Sequence, residues 1–483
     1  MIPRMKTKKP KPKVLINVGC LFDIPTATFI TGPKGETIIN GGLQMLNGVV
    51  GPPNSYKSAI SDYFALAALD TMLFTTRETM FSIYDSEINT DFLRIVMLSS
   101  RLPNINEDIL DEEDGNIMLT DASMHSGDEY YTEFKSFTKE LQKRKKVKYE
   151  SRIDFEDYVP TFNLLDSLSK IDSSANELRV EKNTKDDGSL NTLDMNKGKF
   201  RAQIVADLPR RCSRANNYFI TTAHVGESID MDTGPMAKFN KPVKKLQYLG
   251  DKDKLKGVPP DFSTLMSIVW FLKKAKPLMH RETKTAFYPK RGEADTVNQD
   301  LNIVTMLPLR NKHGLSGFTI DIIVSQKEGV LPHLTQFHFI KEYDYFGLNG
   351  SKVSYELDLL PDVKFQRTTV RSKIDEDENF YVNIVEDGTT RQIGTVGKLK
   401  RALELTSDLA QIKIFHPVWE NMGFMCTPAE LYKDIKDLGY DWDELLSTRG
   451  KETIDNLTNP IKYLSIIDLL KMRKGEYTPY WKQ

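Results

Sequence analysis

Short apolar runs recur through the first two thirds of the chain, and several close on an acid or another polar group. Residues 46–50 form one, interrupted by Asn47 and Gly48. Residues 80–84 lead into Asp85-Ser86-Glu87, 158–165 into Asp166-Ser167, and 218–223 into His224. Near-continuous apolar runs with polar ends are the pattern of parallel strands buried on both faces. Three further candidates, 265–272, 304–309 and 318–324, complete a sheet. An alanine-rich helix is predicted over 58–73 and an amphipathic one over 200–217, the latter carrying Arg201, Arg210, Arg211 and Arg214. Residues 103–152 are polar and helical in pattern. Their run Lys143-Arg144-Lys145-Lys146 reads as a solvated helix face. Residues 173–199 and 225–262 read as long, glycine-broken or unpatterned loops. Strands alternating with helices predict an α/β fold with a mainly parallel central sheet.

Beyond about residue 350 the pattern changes. Residues 353–359 and 370–383 read as extended, and 395–409 as a helix. Thr427-Pro428-Ala429-Glu430 is a capping box with proline at the first helical position, opening a helix that stops at Gly439. Residues 452–472 read as mostly helical. The expected organisation is a basic tail (1–14), an α/β core (15–345) and a smaller α-rich module of α+β type (350–483).

The chain has 483 residues, 40% hydrophobic and 28% charged, with a net charge of −1. That describes a globular chain of two or three domains, and any nucleic-acid surface on it must be a local patch. Cys20, Cys212 and Cys426 are scattered, which argues against a disulfide framework or a zinc site and suits a reducing, cytoplasmic setting. No apolar run reaches the roughly 18 residues of a membrane span, and the N-terminus lacks the apolar core of a signal peptide. The tail, with Arg4, Lys6, Lys8, Lys9, Lys11 and Lys13, is either merely solvated or touches nucleic acid or a neighbouring subunit.

The chemistry gathers around Gly51-Pro52-Pro53-Asn54-Ser55-Tyr56-Lys57-Ser58, which joins the strand 46–50 to the helix 58–73. Strand, tight loop ending in Lys-Ser, helix is the setting of a phosphate-binding P-loop. Backbone N–H groups at the helix N-terminus would face ATP phosphates. Lys57 would reach the β- and γ-phosphates, and Ser58 would hold Mg²⁺. Tyr56 stands where the general motif has glycine. Asp166 has the place of a Walker-B acid on the same ion. Glu87 would orient the attacking water, or is an ordinary strand-end acid. His224 either senses the γ-phosphate or is a surface histidine. Arg310 and Lys312, after the strand 304–309, either stay in their own subunit or reach a neighbour's triphosphate. The second loop, with Lys238, Lys241, Lys244 and Lys245, suits a nucleic-acid backbone; the first carries Lys182, Lys185, Lys197 and Lys199 and is of a length that is usually functional or disordered.

The order Gly41-Gly42, the loop 51–58, Tyr84-Asp85-Ser86-Glu87, Leu165-Asp166-Ser167-Leu168, His224 and Thr233-Gly234-Pro235-Met236 resembles the phage UvsX branch of the RecA recombinases, over roughly residues 15–340. In that branch an aromatic residue also precedes the P-loop lysine. The resemblance implies a RecA-like P-loop ATPase core using ATP and Mg²⁺. It implies that Lys57 and Ser58 are nucleotide and metal ligands, Glu87 the water-activating acid, Asp166 the Walker-B acid and His224 the switch before the second DNA loop. Phe92 falls near a tyrosine that packs on adenine in the family, and Arg310 and Lys312 match a basic pair that crosses the filament interface. Partners implied are single- and double-stranded DNA and further copies of the chain, inside an infected cell if the chain is phage-encoded. The same core suits a DnaB-type hexameric helicase. A third reading is a core that binds DNA or a partner without turnover.

Overall fold

The computed structural model describes residues 11–483 apart from 89, 122–125, 150–154, 175–189, 228–245, 251–252, 281, 294–299, 352, 387 and 449–461. The chain opens with a hairpin, β1 (Thr28–Thr31) and β2 (Thr37–Asn40). Then come β3 (Leu46–Gly51), α1 (Lys57–Leu73), β4 (Phe81–Asp85), α2 (Phe92–Ser99), β5 (Ile117–Asp121), α3 (Gly127–Leu141) and a small hairpin, β6 (Val147–Tyr149) with β7 (Phe155–Asp157). β8 (Thr161–Asp166), β9 (Asn217–Glu227), β10 (Asp253–Lys256), β11 (Ile268–Leu272), β12 (Lys276–Pro277), β13 (Leu301–Asn311), β14 (Ile320–Ser325) and β15 (Gly329–Val330) follow.

One mixed sheet runs β15-β14-β13-β11-β3-β9-β8-β4-β5. From β11 to β5 all neighbours are parallel. β13, β14 and β15 extend the sheet antiparallel, which is why their sequence alternates more than that of the central strands. β3 lies centrally, and the chain places β9 on one side of it and β11 on the other. That arrangement opens a crevice at the carboxyl ends of the strands, where α/β sheets take ligands.

Both faces of the sheet are covered. On one, α1 packs through Ala65, Leu66 and Leu69 against Ile83, Leu164, Ile220 and Trp270. Every residue of α1 from Ala59 to Leu73 is buried, so a helix apolar nearly all round is the pattern its position requires. On the other face the helix Leu190–Ala215 contributes Ile204, Val205, Leu208 and Cys212 against Val50, Tyr84, Leu165 and Phe219.

The predicted elements needed several corrections. The helix begins at Leu190, so Lys197 and Lys199 are helical rather than in a loop; its polar first turns hid it. Residues 103–152 hold strands β5 and β6 besides α3. β9 runs on to Glu227 and pairs with β10, so part of 225–262 is a ribbon. Val370–Glu376 is a helix rather than extended. Within 452–472, the described helix is Ile466–Arg473.

Residues after 350 share a core with residues before it. Leu357, Phe365, Leu403, Leu409, Leu464 and Leu470 pack in one cluster with Ile24, Ile39, Leu301, Ile323 and Phe337. A hairpin formed by Phe380–Glu386 and Thr389–Thr395 rests on the far end of α1, where Ile384 and Ile393 enclose Phe74. From it the buried Arg391 donates through Nη1 to the Leu73 carbonyl at 2.6 Å and through Nη2 to that of Thr75 at 3.2 Å. A guanidinium there satisfies carbonyls that the helix leaves open and meets the negative end of its dipole. Arg391→Ala is expected to cost about 3 kcal/mol in urea unfolding, the scale of a charge-assisted bond with its buried acceptors stranded. A loss under about 0.5 kcal/mol would show that the cap contributes little.

A candidate phosphate-binding site at the carboxyl edge of the sheet

Strand register brings the site together. Gly51, the last residue of β3, lies opposite His224 in β9, and Asp85 of β4 lies opposite Asp166 of β8. Lys57 opens α1, with Ser58 beside it. Gly51 has no room for a side chain: a Cβ there would stand 2.6 Å from Ser55 Oγ and 2.8 Å from the Leu272 carbonyl. Ser55 Oγ donates to the Pro52 carbonyl at 2.7 Å, and Lys57 Nζ donates to the same oxygen at 3.0 Å.

Asn54 and Tyr56 both adopt left-handed backbone, with φ of 59° and 60°. Glycine reaches that region without strain, whereas a bulky residue held there costs about 1–3 kcal/mol. Tyr56 therefore follows the backbone path that the glycine of the general motif permits. Its phenol oxygen accepts a bond from Asn302 Nδ2 of β13 at 2.9 Å.

Asp166 is buried and accepts hydrogen bonds from Thr222 Oγ1 and Ser58. Burial pushes its carboxyl up, the Ser58 and Thr222 bonds oppose this, and the charges of Glu87 and Asp85 add to it. Burial pushes the Lys57 ammonium down, against the pull of Asp166 and Glu87. Each shift disfavours the charged form. Anionic oxygens at Lys57 and a divalent cation at Asp166 would reverse both. The Ser58 hydroxyl and Asp166 carboxylate are hard oxygen donors that fit Mg²⁺. Among the described residues no three His, Cys, Asp or Glu side chains cluster to hold a metal alone. An ion here would take its other ligands from phosphate and water, as Mg²⁺ does.

The two acids at the end of β4 separate in role. Asp85 accepts the N–H groups of Glu87, Ile88 and Thr90 at 2.8, 3.1 and 2.7 Å, so it shapes the turn. Glu87 faces the site: its Oε1 meets Ser167 Oγ at 3.2 Å and His224 Nε2 at 3.1 Å. Ser86 ties the two strand ends together, its N–H donating to the Asp166 carbonyl at 2.6 Å and its hydroxyl to the Ser167 carbonyl at 3.0 Å.

Other expected residues lie elsewhere. Arg310 pairs with Val269, level with Gly48, so it sits about 10 Å back along the strands from Gly51. Lys312 lies further toward the amino edge, donating to the Leu265 carbonyl at 3.0 Å. It lines a cavity of about 760 Å³ with Lys13, Lys146, Arg214 and His313. Phe92 faces a shallow hollow with Val96, Leu110 and Asp111, which no residue of 51–58 lines. Lys197 pairs with Asp172 at 2.9 Å, and Lys199 is exposed. Lys182, Lys185, Lys238, Lys241, Lys244, Lys245 and the Gly234-Pro235 stretch lie outside the described residues.

Sequence reasoning missed Thr222, Asn302 and Arg94. Thr222 was hidden inside an apolar run. Arg94, on α2, donates to the Lys327 carbonyl in the turn between β14 and β15, and Gln326 of that turn bonds Tyr56. Asn302 and Tyr56 are 246 residues apart, and nothing local pairs them.

No family model and no curated protein matches the chain. Among solved structures, a crystal structure of the RadB recombinase is similar at a TM-score of 0.31 and 13% identity, covering 60% of this chain and 92% of that one. So slight a likeness leaves the function to the chemistry of the site. No helix among the described residues is long and apolar enough to cross a membrane.

Proposed function

We propose that the chain is a DNA-dependent ATPase with a RecA-like P-loop core, acting as a UvsX-like recombinase that binds single-stranded DNA and pairs it with duplex DNA. The observation that carries this reading is the meeting of Lys57, Ser58, Asp166, Glu87 and His224 at one strand edge. Lys57 Nζ exchanges the Pro52 carbonyl for β- and γ-phosphate oxygens. Ser58 and Asp166 would hold Mg²⁺, which would offset the charge of the phosphates. Glu87 takes the proton of a water attacking the γ-phosphorus as the bond to the ADP oxygen breaks. His224 Nε2 meets the same carboxylate through Oε1, so a shift of Glu87 toward that water is felt at His224. His224 passes the occupancy of the site to the end of β9 and the stretch 225–262, which with 173–199 takes the DNA backbone. ATP and DNA then favour the same assembly, and each tightens the other.

Arg310 and Lys312, set back from their own loop, suit a stacked assembly in which they approach a neighbour's triphosphate. The work is cytoplasmic, within an infected cell if the chain is phage-encoded. ATPase assays with and without single-stranded DNA test the reading. Hydrolysis should rise with DNA in the wild type and fall about 100-fold or more in Lys57→Ala, the scale of losing one charge-stabilising donor. No hydrolysis in the wild type leaves a protein that binds without turnover. In negative stain with an ATP analogue and DNA, helical filaments are expected; closed six-membered rings would replace the recombinase with a DnaB-type helicase.

A further inference from the structure

We infer that the segment after residue 350 positions the phosphate-binding loop, acting from Arg371 through Asp300 and Asn302 onto Tyr56. The inference rests on the nucleotide-site reading above and adds a role for the part of the chain that carries no motif. Tyr56 is the residue immediately before Lys57, and its left-handed backbone is held against strain. Its anchor is Asn302, whose side chain also approaches the Asp300 carbonyl at 3.3 Å. The Asp300 carboxylate accepts the Ser325 hydroxyl at 2.8 and 2.9 Å and the Lys327 N–H at 3.2 Å. Asp300 thereby fixes the turn whose Gln326 also bonds Tyr56.

Arg371, on the helix Val370–Glu376, is 3% exposed and spans the next two acids. Its Nη2 donates to Asp300 Oδ2 at 3.2 Å and to Glu328 Oε2 at 2.7 Å. Glu328 also receives Arg101 at 3.2 Å and Lys290. Burial alone would push the Glu328 carboxyl up; the bonds from Lys290 and Arg371 and the charge of Arg101 hold it down to about 2. Taking one charge from such a buried group leaves the others uncompensated, so the remaining side chains must move. Asp300 is the member with a route to the loop. With Arg391 at the other end of α1, the late segment grips both termini of the P-loop helix.

The test is binding of a fluorescent ATP analogue (mant-ATP) with Mg²⁺. Tyr56→Phe should weaken binding about tenfold and Arg371→Met, acting through it, about threefold, one lost buried bond being worth roughly that range. The double variant should bind no more weakly than Tyr56→Phe alone, because both break one chain of contacts. Arg371→Lys, which keeps the charge, should recover most of the affinity. Arg473→Met, breaking a C-terminal pair with Asp434 far from this chain of contacts, should leave affinity unchanged. Thermal melts confirm that each variant is folded at the assay temperature. An unchanged affinity in Arg371→Met, additive losses in the double variant, or equal loss in Arg473→Met overturns the inference while the nucleotide site stands. Failure of the wild type to bind the probe overturns both.

Discussion

Glu87→Gln is expected to lower ATP turnover by about 100- to 1,000-fold, the range of a lost general base, with nucleotide affinity changed by less than about threefold. The amide keeps the shape and an acceptor oxygen for Ser167, 3.2 Å away, so the local geometry survives. What goes is the charge that accepts the water's proton. It also goes from beside Lys57 and Asp166, both of which feel Glu87 in their ionisation. The ground-state complex depends on Lys57, Ser58 and the loop amides, none of which changes. Turnover and analogue binding measured on one preparation separate the two effects. A Glu87→Gln enzyme with near-normal turnover would assign the base elsewhere. The bond between Glu87 and His224 adds a second readout. If His224 carries the signal, DNA should alter the residual turnover of Glu87→Gln less than it alters that of the wild type.

A chain cut after Gly350 is expected not to fold. Removing one large residue from a core costs about 2–5 kcal/mol, against a total stability of about 5–15 kcal/mol for a domain. The cut removes Leu357, Phe365, Leu403, Leu409, Leu464 and Leu470 together from a cluster that Ile24, Leu301, Ile323 and Phe337 also need. It also removes Asp468, which accepts the Thr37 N–H of the N-terminal hairpin at 2.7 Å, and Arg391 at the end of α1. Soluble yield and the thermal melt of residues 1–350, compared with the full chain, decide the matter. A soluble fragment with a cooperative melt would show that 350–483 is a separate module.

The sequence by itself determined the centre of the molecule. Strands buried on both faces must be apolar throughout, and their polar ends must reach the sheet edge, so 46–50, Asp85-Ser86-Glu87, Asp166 and His224 were legible as one edge before any contact was known. The same local rule made α1 and the capping box at Thr427 readable, since a buried helix and a capped helix start both leave a pattern within a few residues. It misled where an element's first turns are polar, as at Leu190, and where a short apolar strand sits among polar neighbours, as at β5. Only the tertiary structure could assign Asp85 to the turn and Glu87 to the site, because the two differ in the direction of one side chain rather than in residue type. Only it could set Arg310 and Lys312 back from their own loop, because strand register decides that. And only it could join Tyr56 to Asn302 and Arg371 to Asp300. Such pairs are made by chain segments that meet after folding, and a contact across 71 or 246 residues leaves no periodicity behind in either partner.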